Sequence, residues 1–139
     1  MRIVELTEHD RELLDRAVVR FRGVRGIEHG AFLGDPATLA LVTLDDDGEV
    51  VGWAWGLRER HVGRYSQLLL YEIEVAGSAR RQGVGRGLLD RLVEIARQEG
   101  HARMYLFTGG DNEPARALYE AAGGALSAPA EVGCSWRLR

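Results

Sequence analysis

Leu68-Leu69-Leu70-Tyr71-Glu72-Ile73-Glu74-Val75 runs through Ala76-Gly77-Ser78-Ala79 into Arg80-Arg81-Gln82-Gly83-Val84-Gly85-Arg86-Gly87, and the reading of this stretch decides the fold. Residues 68–75 are apolar and β-prone, interrupted by Glu72 and Glu74, which predicts a strand. Residues 76–79 make a short connection. From Val84 onward apolar side chains fall at 84, 88, 89, 92, 93 and 96. That spacing is one face of a helix, with Arg86, Asp90, Arg91, Glu94, Arg97 and Gln98 on the other face. Gly100 is the expected C-terminal stop.

A strand, a basic glycine-rich turn and a helix together make an anion site. Gly83, Gly85 and Gly87 remove Cβ atoms where backbone must come close to something. The first N–H groups of the helix have no partner within it, and its dipole adds partial positive charge. Arg80, Arg81 and Arg86 add full charges, and phosphate is the expected anion. A Walker loop is excluded because it needs lysine, and all 18 basic residues here are arginine. A dinucleotide fingerprint is excluded because Leu88 follows Gly87, so the third glycine comes one place early.

What the loop does match is Arg/Gln-x-x-Gly-x-Gly. Placed after an acidic strand and before an amphipathic helix, it resembles the acyl-CoA pyrophosphate loop of the GCN5-related N-acetyltransferase (GNAT) superfamily. A second segment, Asp111-Asn112-Glu113-Pro114-Ala115-Arg116-Ala117-Leu118-Tyr119, ending at Gly123, resembles the superfamily's Asn-x-x-Ala-x-x-Leu-Tyr-x-x-x-Gly. Within it, the strand, the loop and this segment look most like type I aminoglycoside 3-N-acetyltransferases. Glu72 and Glu74 stand where those enzymes show aspartate and alanine.

Composition sets the bounds. With 139 residues the chain is one domain, residues 1–139, with a real core. Apolar content of 45% and charged content of 28% are ordinary for a globular protein. A net charge of −3 gives nucleic acid no foothold and suits cationic substrates. The lone Cys134 excludes an internal disulfide and a zinc cluster. No signal peptide and no long apolar run are seen, so no membrane is expected and the location expected is the cytoplasm.

Along the chain, residues 2–6 read as a strand and residues 9–21 as a helix capped by Thr7. Residues 23–34 read as a loop, residues 39–44 and 49–57 as a hairpin around Asp45-Asp46-Asp47-Gly48, and residues 58–67 as a polar connection. The three aspartates lack the rest of a calcium loop and read as a solvated turn. His29, His61 and His101 have no partners at metal spacing, so no metal is expected and all three read as surface or loop residues. Residues 102–108 read as a strand, 113–122 as a helix opened by Pro114, and 130–138 as a last strand. This order predicts an α/β (α+β) domain. The resemblance implies a mixed, mostly antiparallel sheet of six to seven strands with helices on both faces.

The resemblance also implies roles. Acetyl-CoA is the implied cofactor, held by Arg80, Arg81, Gln82, Gly83, Val84, Gly85, Arg86 and Gly87 through its phosphates. Its pantetheine arm is implied to lie along Ile73, Glu74 and Val75, with the N–H of Val75 or Ile73 as oxyanion donor. Asn112 would bind or orient the arm or a loop water, beside Ala115. Tyr119 is implied as general acid, its hydroxyl near the departing sulfur, against a reading as a helix-face packing residue. Glu72 is the candidate base and a binder of the ammonium. Strict alternation puts Glu72 and Glu74 on the same side as Leu70, where two carboxylates are costly unless they meet solvent or cations. Glu74 either serves the acceptor or pairs with an arginine. Asp111 and Glu113 either meet acceptor amines or cap the helix. The implied acceptor is a polyamine-like small molecule, an aminoglycoside. Homodimers are typical of look-alikes. The alternatives are an acetyltransferase of a protein N-terminus, a lysine or a small amine, and a non-catalytic acyl-CoA-binding module; the presence of Tyr119 with the paired glutamates favours the enzyme over the module.

Overall fold

Two hairpins and a crossover build the domain, which is known from a computed structural model that describes residues 1–127, 134, 135 and 137. Strands β1 (Arg2–Glu5), β2 (Thr38–Leu44), β3 (Val50–Arg60) and β4 (Ser66–Val75) are antiparallel neighbours in sequence order. A fifth strand, β5 (Met104–Tyr105), joins β4 in parallel after the crossover through helix α3 (Val84–Gln98). Helices α1 (Arg11–Arg22), α2 (Gly30–Gly34) and α4 (Glu113–Ala121) complete the order. The sheet is therefore mixed and mostly antiparallel, but it has five strands among the described residues rather than six to seven. The strand expected at 130–138 falls almost wholly outside the described residues. No helix of the described residues is long and apolar enough to cross a membrane.

Each face of the sheet carries its own core. On one face the apolar stripe of α3, including Val84, Leu88, Leu89 and Leu92, packs on Leu39, Leu41, Leu68 and Leu70, with Leu118 and Tyr119 of α4 at the margin. On the other face Leu14, Ala17 and Val18 of α1 pack on Ala40, Val42 and Trp53, with Phe32 and Trp55 beside them. Trp53 and Trp55 share that face, as their spacing requires.

Several boundaries move for local reasons. Thr7 does not cap α1. It forms a turn with Asp10, whose carboxylate accepts from the Thr7 N–H at 2.7 Å, and the helix starts one residue after Asp10. The loop at 23–34 contains the short helix α2. The β3–β4 hairpin runs further than its apolar residues do, closing at the His61 N–H to Tyr65 C=O bond of 2.9 Å. In the β2–β3 turn, Asp45 accepts from the N–H groups of Asp47 and Glu49 at 2.9 Å each. His101 is no surface residue. Its side chain is 5% exposed and bridges Ser66 Oγ at 2.9 Å and Glu99 Oε2 at 2.8 Å.

One irregularity sets up the site. The register steps from Trp55↔Glu72 to Gly56↔Leu70, so Tyr71 is an extra, unpaired residue in β4. The bulge switches the phase of the strand. Leu68 and Leu70 before it, and Ile73 and Val75 after it, all face α3. Glu72 and Glu74 therefore lie on the opposite face from Leu70, correcting the expectation from strict alternation, and pair across the ladder with Trp55 and Trp53.

Candidate active site

The β4–β5 pairing ends at Leu69↔Tyr105, while β4 continues to Val75. Past that point the β5-facing edge of β4 has no strand partner among the described residues. The Ala76 N–H bonds to Val51 on the β3 side at 2.8 Å. By alternation, the N–H groups of Glu72 and Glu74 also face β3, and those of Ile73 and Val75 face the open edge. These are the two residues expected to offer an oxyanion donor.

A cleft of about 200 Å³ occupies the opening, lined by Leu70, Tyr71, Glu72, Ile73, Glu74, Leu106, Phe107 and Tyr119. It brings the expected acid and base into one space. Tyr119 reaches it from α4, half-buried, and that burial pushes its hydroxyl above the ordinary tyrosine pKa. Glu72 reaches it from beyond the bulge, its carboxylate paired with Arg22 from the last turn of α1. Arg22 in turn lies 5.4 Å from the centre of the Trp53 ring. Glu74 lines the cleft and is exposed.

The glycine-rich turn meets the open edge at the start of α3. The first helical N–H to find an acceptor is that of Gly87, which bonds to the Gly83 C=O at 2.9 Å. Those of Val84, Gly85 and Arg86 thus have no helical partner. Gly83 caps the helix in the left-handed region at φ 78°, and a Cβ there would meet nothing within 4 Å. Arg80 and Arg81 are exposed, and Arg81 holds a left-handed φ of 62° that costs energy in any residue with a side chain. Unpartnered donors, an open approach and two exposed guanidiniums fit the phosphates of coenzyme A, and the bare edge of β4 fits an extended arm with amide groups.

The other expected residues have contacts of their own within the fold. Arg86 is tied to Asp90 at 2.9 Å, and Gln82 folds back on the Ser78 C=O at 3.3 Å. Val84 is buried, so only its backbone faces the turn. Gly85 lets α3 approach α4: a Cβ would sit 3.1 Å from Leu118. Gly87 has its N–H already used, so it offers no donor to an anion. Asn112 is the N-cap of α4, its side-chain oxygen accepting from the Ala115 N–H at 3.3 Å. Asp111 and Glu113 are exposed at the start of α4 and do not line the cleft. Sequence reasoning missed Tyr71, Phe107 and Arg22. For Tyr71 a signal existed: Leu68 and Leu70 are apolar in one phase, Ile73 and Val75 in the other.

Comparison with known proteins bears on the family and the fold. The acetyltransferase (GNAT) family matches residues 6–124. A mycothiol acetyltransferase of Beutenbergia cavernae is 34% identical over 70% of this chain and 31% of its own length. The chain spans between a quarter and a third of the length of the curated relatives it matches, 31% of one and 26% of another. An aminoglycoside acetyltransferase from an uncultured soil metagenomic sample superposes with a TM-score of 0.84 at 22% identity, covering 98% of both chains. Another from such a sample, in complex with sisomicin, gives 0.83 at 15% identity over 99% of this chain and 96% of that one. At those identities the two structures speak for the fold. The family match, over most of the chain and across both the glycine-rich turn and Tyr119, shows that the chain belongs to the acetyltransferase (GNAT) family.

Proposed function

We propose that the chain transfers acetyl from acetyl-CoA to an amino group of a polyamine-like small molecule, the 3-amino group of an aminoglycoside, with Glu72 as base and Tyr119 as acid. The observation that carries this reading is the meeting of Glu72 and Tyr119 in one cleft at the open edge of β4. Acetyl-CoA supplies the acyl group as a thioester. The Ile73 and Val75 N–H groups face the place where charge develops on the carbonyl oxygen. Glu72 accepts a proton from the attacking nitrogen as the N–C bond forms. Tyr119 Oη donates its proton to the sulfur as the C–S bond breaks, leaving an acetamide and a free thiol. Holding both substrates in one cleft lowers the barrier further. Glu72 and Glu74 favour a cationic acceptor, and the fold shared with aminoglycoside acetyltransferases supports the choice.

The sequence similarity to mycothiol acetyltransferases favours a second reading, an acceptor of the kind those enzymes use. Thiol release separates the two. A panel of 2-deoxystreptamine aminoglycosides is expected to react, with KM rising with salt because screening weakens attraction to the carboxylates. No release with the panel, but release with the acceptor of mycothiol acetyltransferases, a peptide N-terminus or a simple amine, overturns the aminoglycoside assignment and keeps acetyl transfer.

A further inference from the structure

Tyr71 is an aromatic set at an irregular point of β4. It is the unpaired residue of the β4 bulge and is 60% exposed. Bulges re-aim side chains, and this one turns the Tyr71 ring onto Trp55, with centroids 4.7 Å apart and planes 20° apart. Trp55 is itself held edge-on by Phe32 of α2 at 5.3 Å. One face of the Tyr71 ring is thus backed by a fixed stack while the ring lines the cleft beside Glu72 and Glu74. Phe107, 86% exposed, lines the same cleft. An exposed, rigidly supported aromatic next to carboxylates suits a ligand with both an apolar face and positive charge.

We propose that Tyr71, backed by Trp55, is the specificity-determining residue for the acceptor, a shelf on which the ring of a cyclic amine stacks while its ammonium groups face Glu72 and Glu74. An aminocyclitol or amino sugar has that shape, with a C–H face and charged edges. A linear polyamine of equal charge satisfies the carboxylates but gains little from the shelf. This inference rests on the acetyl-transfer reading of the same cleft.

The test is calorimetric titration of a 2-deoxystreptamine aminoglycoside, and separately of spermine, into protein saturated with coenzyme A. Tyr71→Leu is expected to weaken aminoglycoside binding about tenfold and spermine binding less than about twofold, and Tyr71→Phe to recover most of the loss. Unchanged coenzyme A affinity in both variants shows that the cleft stays folded. Equal weakening of both amines, no change in either, or no aminoglycoside binding to the parent protein overturns the shelf. An aminoglycoside that binds as expected but releases no thiol overturns the proposed reaction and leaves the shelf standing. One that is acetylated with a Tyr71-independent KM does the reverse.

Discussion

Tyr119 is the residue to which the proposed mechanism assigns the departing thiol's proton. On sequence it is an aromatic in the middle of α4, equally suited to packing. In the fold it packs against the α3-side core and also lines the cleft. Burial favours the neutral phenol, so the hydroxyl keeps its proton above the pH at which an exposed tyrosine loses it. The basic limb of the kcat profile is therefore expected above the ordinary tyrosine range. Tyr119→Phe keeps the ring and removes the proton. It should lower kcat by roughly 10²-fold with acetyl-CoA affinity nearly intact. A kcat that matches the parent across pH assigns the proton to water or another group. Arg22 is the complementary case: nothing in its helix marks it, yet it places a cation on the carboxylate of Glu72.

At the scale of elements, the bulged β4 is the feature on which the site depends. It exists because Gly56 lies opposite. A Cβ at Gly56 would collide with the Leu69 carbonyl oxygen, where β3 and β4 change register. Gly52 plays the same part further along, since a Cβ there would sit 2.6 Å from Val84 at the first turn of α3. Close approach of β3 thus fixes both the bulge and the start of α3. Gly56→Ala must push the two strands apart, an overpacking expected to cost about 3 kcal/mol. Chemical denaturation checks this, and near-ultraviolet circular dichroism should show the Tyr71–Trp55 stack disturbed. A variant as stable as the parent would mean that the bulge has room to spare.

Over the whole molecule, one charged cluster joins the far ends of the elements. Arg58 of β3 donates to both oxygens of Glu99 at 2.8–3.0 Å, just past α3. It also donates to the Thr38 C=O at the start of β2, at 2.6 Å. His101 links the same glutamate to Ser66 at the start of β4. The hydrogen bonds from Arg58 hold the Glu99 carboxyl below its usual pKa, against the opposing effect of burial. A lowered folded pKa stabilises the protein above the unfolded carboxylate value, and that contribution disappears as pH falls through the folded value. Melting temperature should therefore fall on acidification below about pH 4 more steeply in the parent than in Glu99→Gln. Parallel acid limbs in the two proteins would show that the cluster carries no pH-dependent stability.

The amino-acid sequence by itself determined the elements that have a period and the motifs that are local. The amphipathic pattern of α3, the glycine-rich turn and the Asn112–Tyr119 segment were legible because each is written in consecutive residues. So were the mixed sheet and the family resemblance that the match to residues 6–124 upholds. The tertiary structure alone decided where the side chains meet. A single extra residue at Tyr71 moved Glu72 and Glu74 to the other face, because strand alternation carries a phase that one bulge reverses. The partnership of Arg22 with Glu72 spans fifty positions, and nothing in either segment encodes the other. Asn112 caps its own helix, its side-chain oxygen accepting from the Ala115 N–H. Local patterns report what the backbone does; long-range pairings depend on how the sheet twists and shifts, which only the folded chain expresses.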